Sequence, residues 1–257
     1  MFPYYLRHRK AAPTQVQRSG FGQMLARMVG YAILLCAVIF AGIVIGPGLP
    51  DRYNPFAALD PTAPPDAFTR YKLDRATRTP EACFAALEMI DTITFSRRPD
   101  REESAQCHIR GHVALSGLSR ARLQPVSTTC GTALRLYMWE QHRLQPAAEA
   151  HLGARIAQIS HQSSYSCRRI RTVNGPGEQM SAHATADAID INGVILEDGR
   201  ELGLRFGWGA GDAQVRSFWR AARDGACDTF RTVLSPAFNT LHADHFHLAQ
   251  GRYGACR

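Results

Sequence analysis

An uncharged run of 18 residues, 28–45 (MVGYAILLCAVIFAGIVI), constrains this chain more than any other feature. A helix rises about 1.5 Å per residue, so the run just spans a hydrocarbon layer about 30 Å thick. Gly46-Pro47-Gly48 closes it. Arg7, Arg9, Lys10, Arg18 and Arg27 all precede the first acidic residue, Asp51. Basic residues collect on the cytoplasmic side of a span, so the N-terminus is predicted inside and everything beyond residue 47 outside. A cleaved signal peptide is the alternative, but its basic region would be long and no clean small-x-small site follows. The terminal position and the one-sided charge argue against a buried core helix. The run therefore reads as an uncleaved, single-pass anchor.

Charge follows the same division. The net charge is +8, and setting aside those five residues leaves 25 basic against 22 acidic, or +3. A nucleic-acid binder concentrates positive charge in its folded domain. Here the tail holds it, which excludes that class. The hydrophobic fraction of 45% is ample for a core in a chain of 257 residues.

Four segments result: a basic tail at 1–27, the membrane helix at 28–45, a linker at 46–66 and a globular domain at 67–257. Six prolines (47, 50, 55, 61, 64 and 65) favour extended, semi-rigid backbone in the linker. Seven cysteines are present, with Cys36 inside the apolar run. Cys83, Cys107, Cys130, Cys167, Cys227 and Cys256 suit an oxidising compartment, where three bridges could form in any of 15 pairings. No CxxC pair occurs, which disfavours a thiolate zinc knuckle.

Within the domain, Thr79-Pro80 predicts a helix N-terminus running to about residue 91. Short strands are expected at 113–115 and 123–126, and a helix at 131–141. Pro146 interrupts the helical pattern or begins a new turn, and Gly153 stops it. Residues 154–160 read as a strand. Asn192-Gly193 between 188–191 and 194–196 is a hairpin signal, and Asp198-Gly199 marks a second tight turn. Residues 212–226 form an amphipathic helix burying Phe218 and Trp219, with strands at 230–234 and 245–248. Trp208, in a glycine-rich stretch, either packs its loop or lines a cleft. The predicted class is α+β: an antiparallel sheet with helices packed on it.

Two stretches carry the chemistry, Ser181-Ala-His-Ala-Thr-Ala-Asp-Ala-Ile-Asp190 and His242-Ala-Asp-His-Phe-His247. Imidazole and carboxylate are the usual ligands of a catalytic zinc, which takes three from the protein and keeps one position open. His183 and Asp190 can supply two. Alternate strand residues share a face, so His245 and His247 point together while Phe246 points to the core. One histidine would then sit on the metal and its neighbour beside the water.

At these residues the chain resembles the bacterial extensin-like C-terminal domain family. It is similar more broadly to the zinc peptidases grouped with lysostaphin-type, D-alanyl-D-alanine and Hedgehog domains. The resemblance covers about 67–257 and includes the cysteines and Ser164-Tyr-Ser-Cys-Arg168. It implies His183, Asp190 and His247 as Zn²⁺ ligands, with the zinc site at the sheet. Asp244 or His245 would be the general base, accepting a proton from water activated by the metal. Arg168, or its neighbour Arg169, would steady the oxyanion. His242 and Ser181 would stand beside the ligands or the substrate. Ala182, Ala186 and Ala249 depart from residues common in relatives (Glu, Gly and Asp), and none removes a ligand.

The resulting expectation is a zinc-dependent peptidase. It would be anchored in the bacterial inner membrane, with a periplasmic domain acting on peptidoglycan stem peptides or cross-links. The alternative is a zinc-containing wall-binding or scaffolding module without turnover.

Overall fold

The computed structural model describes residues 20–45, 48–251 and 254–257. The basic tail expected at 1–27 lies outside the described residues except for its last eight. Contacts divide the chain into two units, residues 1–49 and 50–257, the second with its own core.

Helix α1 (Gly20–Ile45) makes up the described part of the first unit. It starts before the expected residue 28 because Gln23 and Arg27 are tolerated in its first turns. The span Gly22–Gly42 is long and apolar enough to cross a membrane, and a signal sequence has the same length and composition. Cys36 is exposed and unbridged on this helix.

The second unit is α+β. In chain order it holds α2 (Thr69–Ala76), α3 (Pro80–Leu87), β1 (Thr94–Arg97), β2 (Arg101–Ser104), β3 (Cys107–Ile109), β4 (His112–Gly117) and β5 (Arg122–Thr129). Then come α4 (Cys130–Trp139), α5 (Gln145–Leu152), β6 (Ile156–His161), β7 (Arg169–Thr172), β8 (Gly175–Met180), β9 (Ala188–Leu196) and β10 (Glu201–Gly203). Last are α6 (Leu204–Gly207), α7 (Ala213–Thr229), β11 (Thr232–Leu234), β12 (Phe246–Ala249) and β13 (Ala255–Cys256). The main sheet runs β1-β4-β5-β6-β9-β12-β11-β13, with β10 also on β9.

Several expectations are corrected. The sheet is mixed rather than antiparallel: β5 meets β6 in parallel through Arg122 and Gln158, and β11 pairs β13 in parallel. Pro125, which has no N–H to donate, sits beyond that single β5–β6 contact. The Asn192-Gly193 hairpin does not form, because β9 runs straight through it. Glycine is used there for close approach: a Cβ on Gly193 would lie 3.0 Å from the Leu202 carbonyl of the neighbouring strand. The turn falls instead at Asp198-Gly199, where Gly199 has φ +85°, and it returns the chain as β10.

The linker also differs. From residue 50 onward the proline-rich stretch belongs to the globular unit. Leu59 is buried in the core. Arg75 donates to the carbonyls of Phe56 and Ala57, and Lys72 donates to Asp51 O at 2.6 Å. Nor is the stretch uniformly extended: Asp51–Tyr53 form a 3₁₀ turn, and further turns and bends follow.

The helices form one layer against the sheet. Thr129 caps α4 by accepting from Thr132 N at 3.2 Å, and every residue of α4 is buried. Trp139 reaches α7, donating from Nε1 to Ala222 O at 2.9 Å. Asp212 caps α7, whose apolar face places Phe218 and Trp219 in the core. Between α4 and α5 the chain widens into a π turn, Glu140–Leu144, so Pro146 starts α5 instead of breaking α4. Glu140 is fully buried there. Its carboxylate accepts from Ser119 N, Arg120 N, Ala121 N and Gln145 Nε2.

Three disulfides select one of the possible pairings: Cys83–Cys130, Cys107–Cys167 and Cys227–Cys256. The first ties α3 to α4, and the third ties the terminal strand to α7.

Candidate metal centre

Sheet register builds the site. β12 lies antiparallel to β9 with His247 directly opposite Asp190. Directly paired side chains on one face stand about 5 Å apart at Cβ. The Asp190 Oδ1–His247 Nδ1 separation is 2.9 Å. A slip of one residue in β12 would turn His247 to the opposite face from Asp190.

His183 arrives from a short 3₁₀ turn, Ala182–Thr185, just before β9. Ser181 caps this turn through its side chain, accepting from His183 N at 3.3 Å. Ala186 then takes the left-handed conformation, φ 53°, alone among the described non-glycine residues. Its carbonyl accepts from Thr132 Oγ1 at 3.1 Å and Thr128 Oγ1 at 3.2 Å, with Thr129 and Ser164 hydroxyls within 3.5 Å. This cage of hydroxyls holds the backbone between His183 and Asp190.

The imidazole itself is oriented. His183 Nδ1–H donates to the Ser164 carbonyl at 3.0 Å, which leaves Nε2 with its lone pair toward the site. Nε2 lies 3.2 Å from Asp190 Oδ1 and 3.1 Å from His247 Nδ1. Ligands of a tetrahedral zinc, bound at 2.0–2.1 Å, are about 3.3 Å apart. Two imidazole nitrogens and one carboxylate oxygen at these separations fit a divalent cation in donor type and spacing. The Asp190 carboxyl is held far below the usual range: burial pushes it up, and its interactions with the His183 and His247 imidazoles outweigh that.

His245 faces the same point, its Nε2 3.9 Å from Asp190 Oδ1, while Phe246 between the two histidines is fully buried. Asp244 is half exposed and bonds to His245, with its Oδ1 2.8 Å from Nδ1. The carboxylate thus fixes His245 Nδ1 as the protonated nitrogen and leaves Nε2 basic. His242 bonds through Nδ1 to Asn239 Oδ1 at 2.7 Å. Burial and the neighbouring His245 and His247 push its pKa down to about 4, so it is neutral at ordinary pH.

Asp190, His242, His245 and His247 line a cleft of about 530 Å³, whereas His183 is buried and does not line it. Arg168, Ile170, Arg171 and Val173 line one wall, and Phe238 and Leu241 the other. Arg168 and Ser181 stand on it as expected, whereas Asp244 and Arg169 do not line it. Trp208 packs edge-on to Phe246, with centroids 5.9 Å apart, and does not contribute to the cleft. The walls were not legible in sequence: the β7–β8 hairpin lacks apolar alternation, and Phe238 and Leu241 sit in a loop. The hydroxyl cage was missed as well, since Thr128, Thr129, Thr132 and Ser164 meet only in three dimensions.

An α+β domain with a His, Asp and His donor set carried by two adjacent interior strands and the turn before them, with an adjoining cleft, is the class these features define. Residues 81–257 match the family described as extensin-like protein C-terminus, and the chain belongs to it. No curated protein and no solved structure matches the chain.

Proposed function

We propose that this protein is a membrane-anchored zinc peptidase that hydrolyses peptidoglycan stem peptides or cross-links on the outer side of the bacterial inner membrane. The observation that carries the reading is the convergence of His183 Nε2, Asp190 Oδ1 and His247 Nδ1 beside an open cleft that Asp190, His245 and His247 line, with His245 Nε2 3.9 Å from Asp190 Oδ1. A structural metal site is closed by protein on all sides, whereas this one opens to substrate-sized space. The apolar helix, the basic residues before it and three disulfides support an anchored domain in an oxidising compartment.

His183, Asp190 and His247 would hold the zinc. When bound, it polarises a substrate carbonyl and brings the pKa of water toward neutrality. His245 Nε2 takes the proton from the attacking water and passes it to the leaving amine. Asp244 is a positioning residue that keeps the His245 tautomer correct. Neutral His242 adds no competing charge beside the base. Arg168, on the cleft wall, offers its guanidinium to the developing oxyanion.

The test uses residues 50–257, which form a unit with its own core. Purified peptidoglycan is incubated with the domain, with and without chelator, and the fragments are weighed by mass spectrometry beside a His183→Ala control. Chelator-sensitive fragments absent from the control are expected, and their masses name the bond. Stoichiometric zinc without cleavage of several wall types would overturn catalysis and assign a wall-binding module.

A further inference from the structure

The β7–β8 hairpin forms a two-stranded sheet of its own beside the metal cleft. Its pairing is irregular between Arg169 and Arg171. In a regular strand Arg169 and Arg171 would share a face. Here Ile170, Arg171, Thr172 and Val173 all line the cleft in succession, and Arg169 does not. A bulge of this kind re-aims side chains, and Arg171, though exposed, lines the cleft together with Arg168.

Among the described residues no carboxylate pairs with either guanidinium: Arg171 has no ion pair there, and the Arg168 side chain reaches the Arg169 carbonyl at 3.3 Å. The cleft is lined by one carboxylate, Asp190, and that group is committed to His183 and His247. Burial and the charge of Arg171 lower the pKa of Arg168, and Asp190 opposes them, so the three groups feel one another. Other arginines of the domain, such as Arg97, Arg143 and Arg155, have carboxylate partners.

The hairpin root is fixed. Cys167, next to Arg168, is bridged to Cys107, and the Arg168 carbonyl accepts from Ser181 N at 3.0 Å. The arginines are therefore set at a defined place relative to the turn carrying His183. Guanidinium is the side chain suited to planar, bidentate capture of carboxylate. Ile170, Val173, Phe238 and Leu241 supply apolar lips on both sides.

We infer that Arg171, beside the oxyanion-facing Arg168, forms a carboxylate-binding subsite, and that the substrate is a peptide bearing a free carboxylate close to the bond presented to the metal centre. This rests on the peptidase reading for the substrate being a peptide. Arg171 is the specificity determinant, because it is exposed and takes no part in holding the metal ligands.

The experiment measures binding of a fluorescent wall stem peptide to residues 50–257 by anisotropy, with and without zinc. A second probe is the same peptide with its carboxylates converted to carboxamides. The free-carboxylate form is expected to bind at least ~10-fold more tightly. Arg171→Gln should erase the preference without changing the melting temperature, and Arg171→Lys should keep part of it. Equal binding of the two peptides, binding of neither, or an intact preference in Arg171→Gln would overturn the inference. A carboxylate preference without cleavage would retire the peptidase reading and leave the subsite standing. Cleavage of both peptides with equal affinity would do the reverse.

Discussion

At the scale of single residues, the pair Asp244 and His245 separates two roles that the sequence left together. His245 Nε2 is near the ligand point, and Asp244 reaches it only through His245 Nδ1. His245→Ala should therefore lower kcat/KM by about 10³-fold, and Asp244→Asn by about 10-fold, measured on the same muropeptide. Equal losses would mean that Asp244 acts directly. Ala186 makes a second case. It is buried in the left-handed region, where a branched Cβ is strongly disfavoured. Ala186→Val should cost about 2 kcal/mol or more in urea denaturation and weaken zinc affinity, because the strained residue lies between His183 and Asp190. Unchanged affinity would show that the hydroxyl cage holds the turn by itself.

At the scale of elements, the candidate metal centre joins a rigid part and a tethered part. β9 and β12 present Asp190 and His247 from paired strands, so their geometry follows from backbone hydrogen bonding. The His183 turn and the β7–β8 hairpin depend on side-chain caps and on Cys107–Cys167. This bridge closes a loop with a sequence separation of 60 residues, and its loss should cost about 3 kcal/mol of stability. A Cys107→Ala, Cys167→Ala double variant should also raise KM more than it lowers zinc affinity, since the hairpin lines the cleft without ligating. Titration of zinc beside steady-state kinetics would check this, and a loss confined to zinc affinity would contradict it.

For the whole molecule, one buried ionic cluster ties distant parts of the chain together. Asp74 on α2 bonds to Arg135 on α4 at 2.7 Å and to Arg231 before β11 at 2.5 Å. Burial raises the Asp74 carboxyl, but hydrogen bonds and charges from the two arginines overcome this and hold it below its ordinary value. A lowered folded pKa means that the contribution is full above the unfolded value of about 3.9 and is lost as pH falls through the folded one. Asp74→Asn leaves the Arg135 charge buried without its partner and should cost about 3–5 kcal/mol near neutral pH. The gap from wild type should shrink below about pH 4. Denaturant midpoints across the acid range would test it, and a pH-independent gap would remove Asp74 as the cause.

Local chemistry was enough to read the apolar span, the caps at Thr79 and Asp212, the Asp198-Gly199 turn and the two stretches that supply the His183, Asp190 and His247 cluster, because each is written within a few neighbouring residues. Family membership was legible too, through the spacing of those stretches. Asn192-Gly193 shows where local reading fails: the dipeptide favours a turn, but pairing on both sides of β9 outweighs that preference and uses the glycine for close approach. The disulfide pairing, the residue opposite Asp190, the docking of residues 50–66 and the placing of Arg171 on the cleft were decided by tertiary structure alone. Each depends on segments far apart in sequence meeting at a distance of a few ångströms, and short-range pattern carries no record of such meetings.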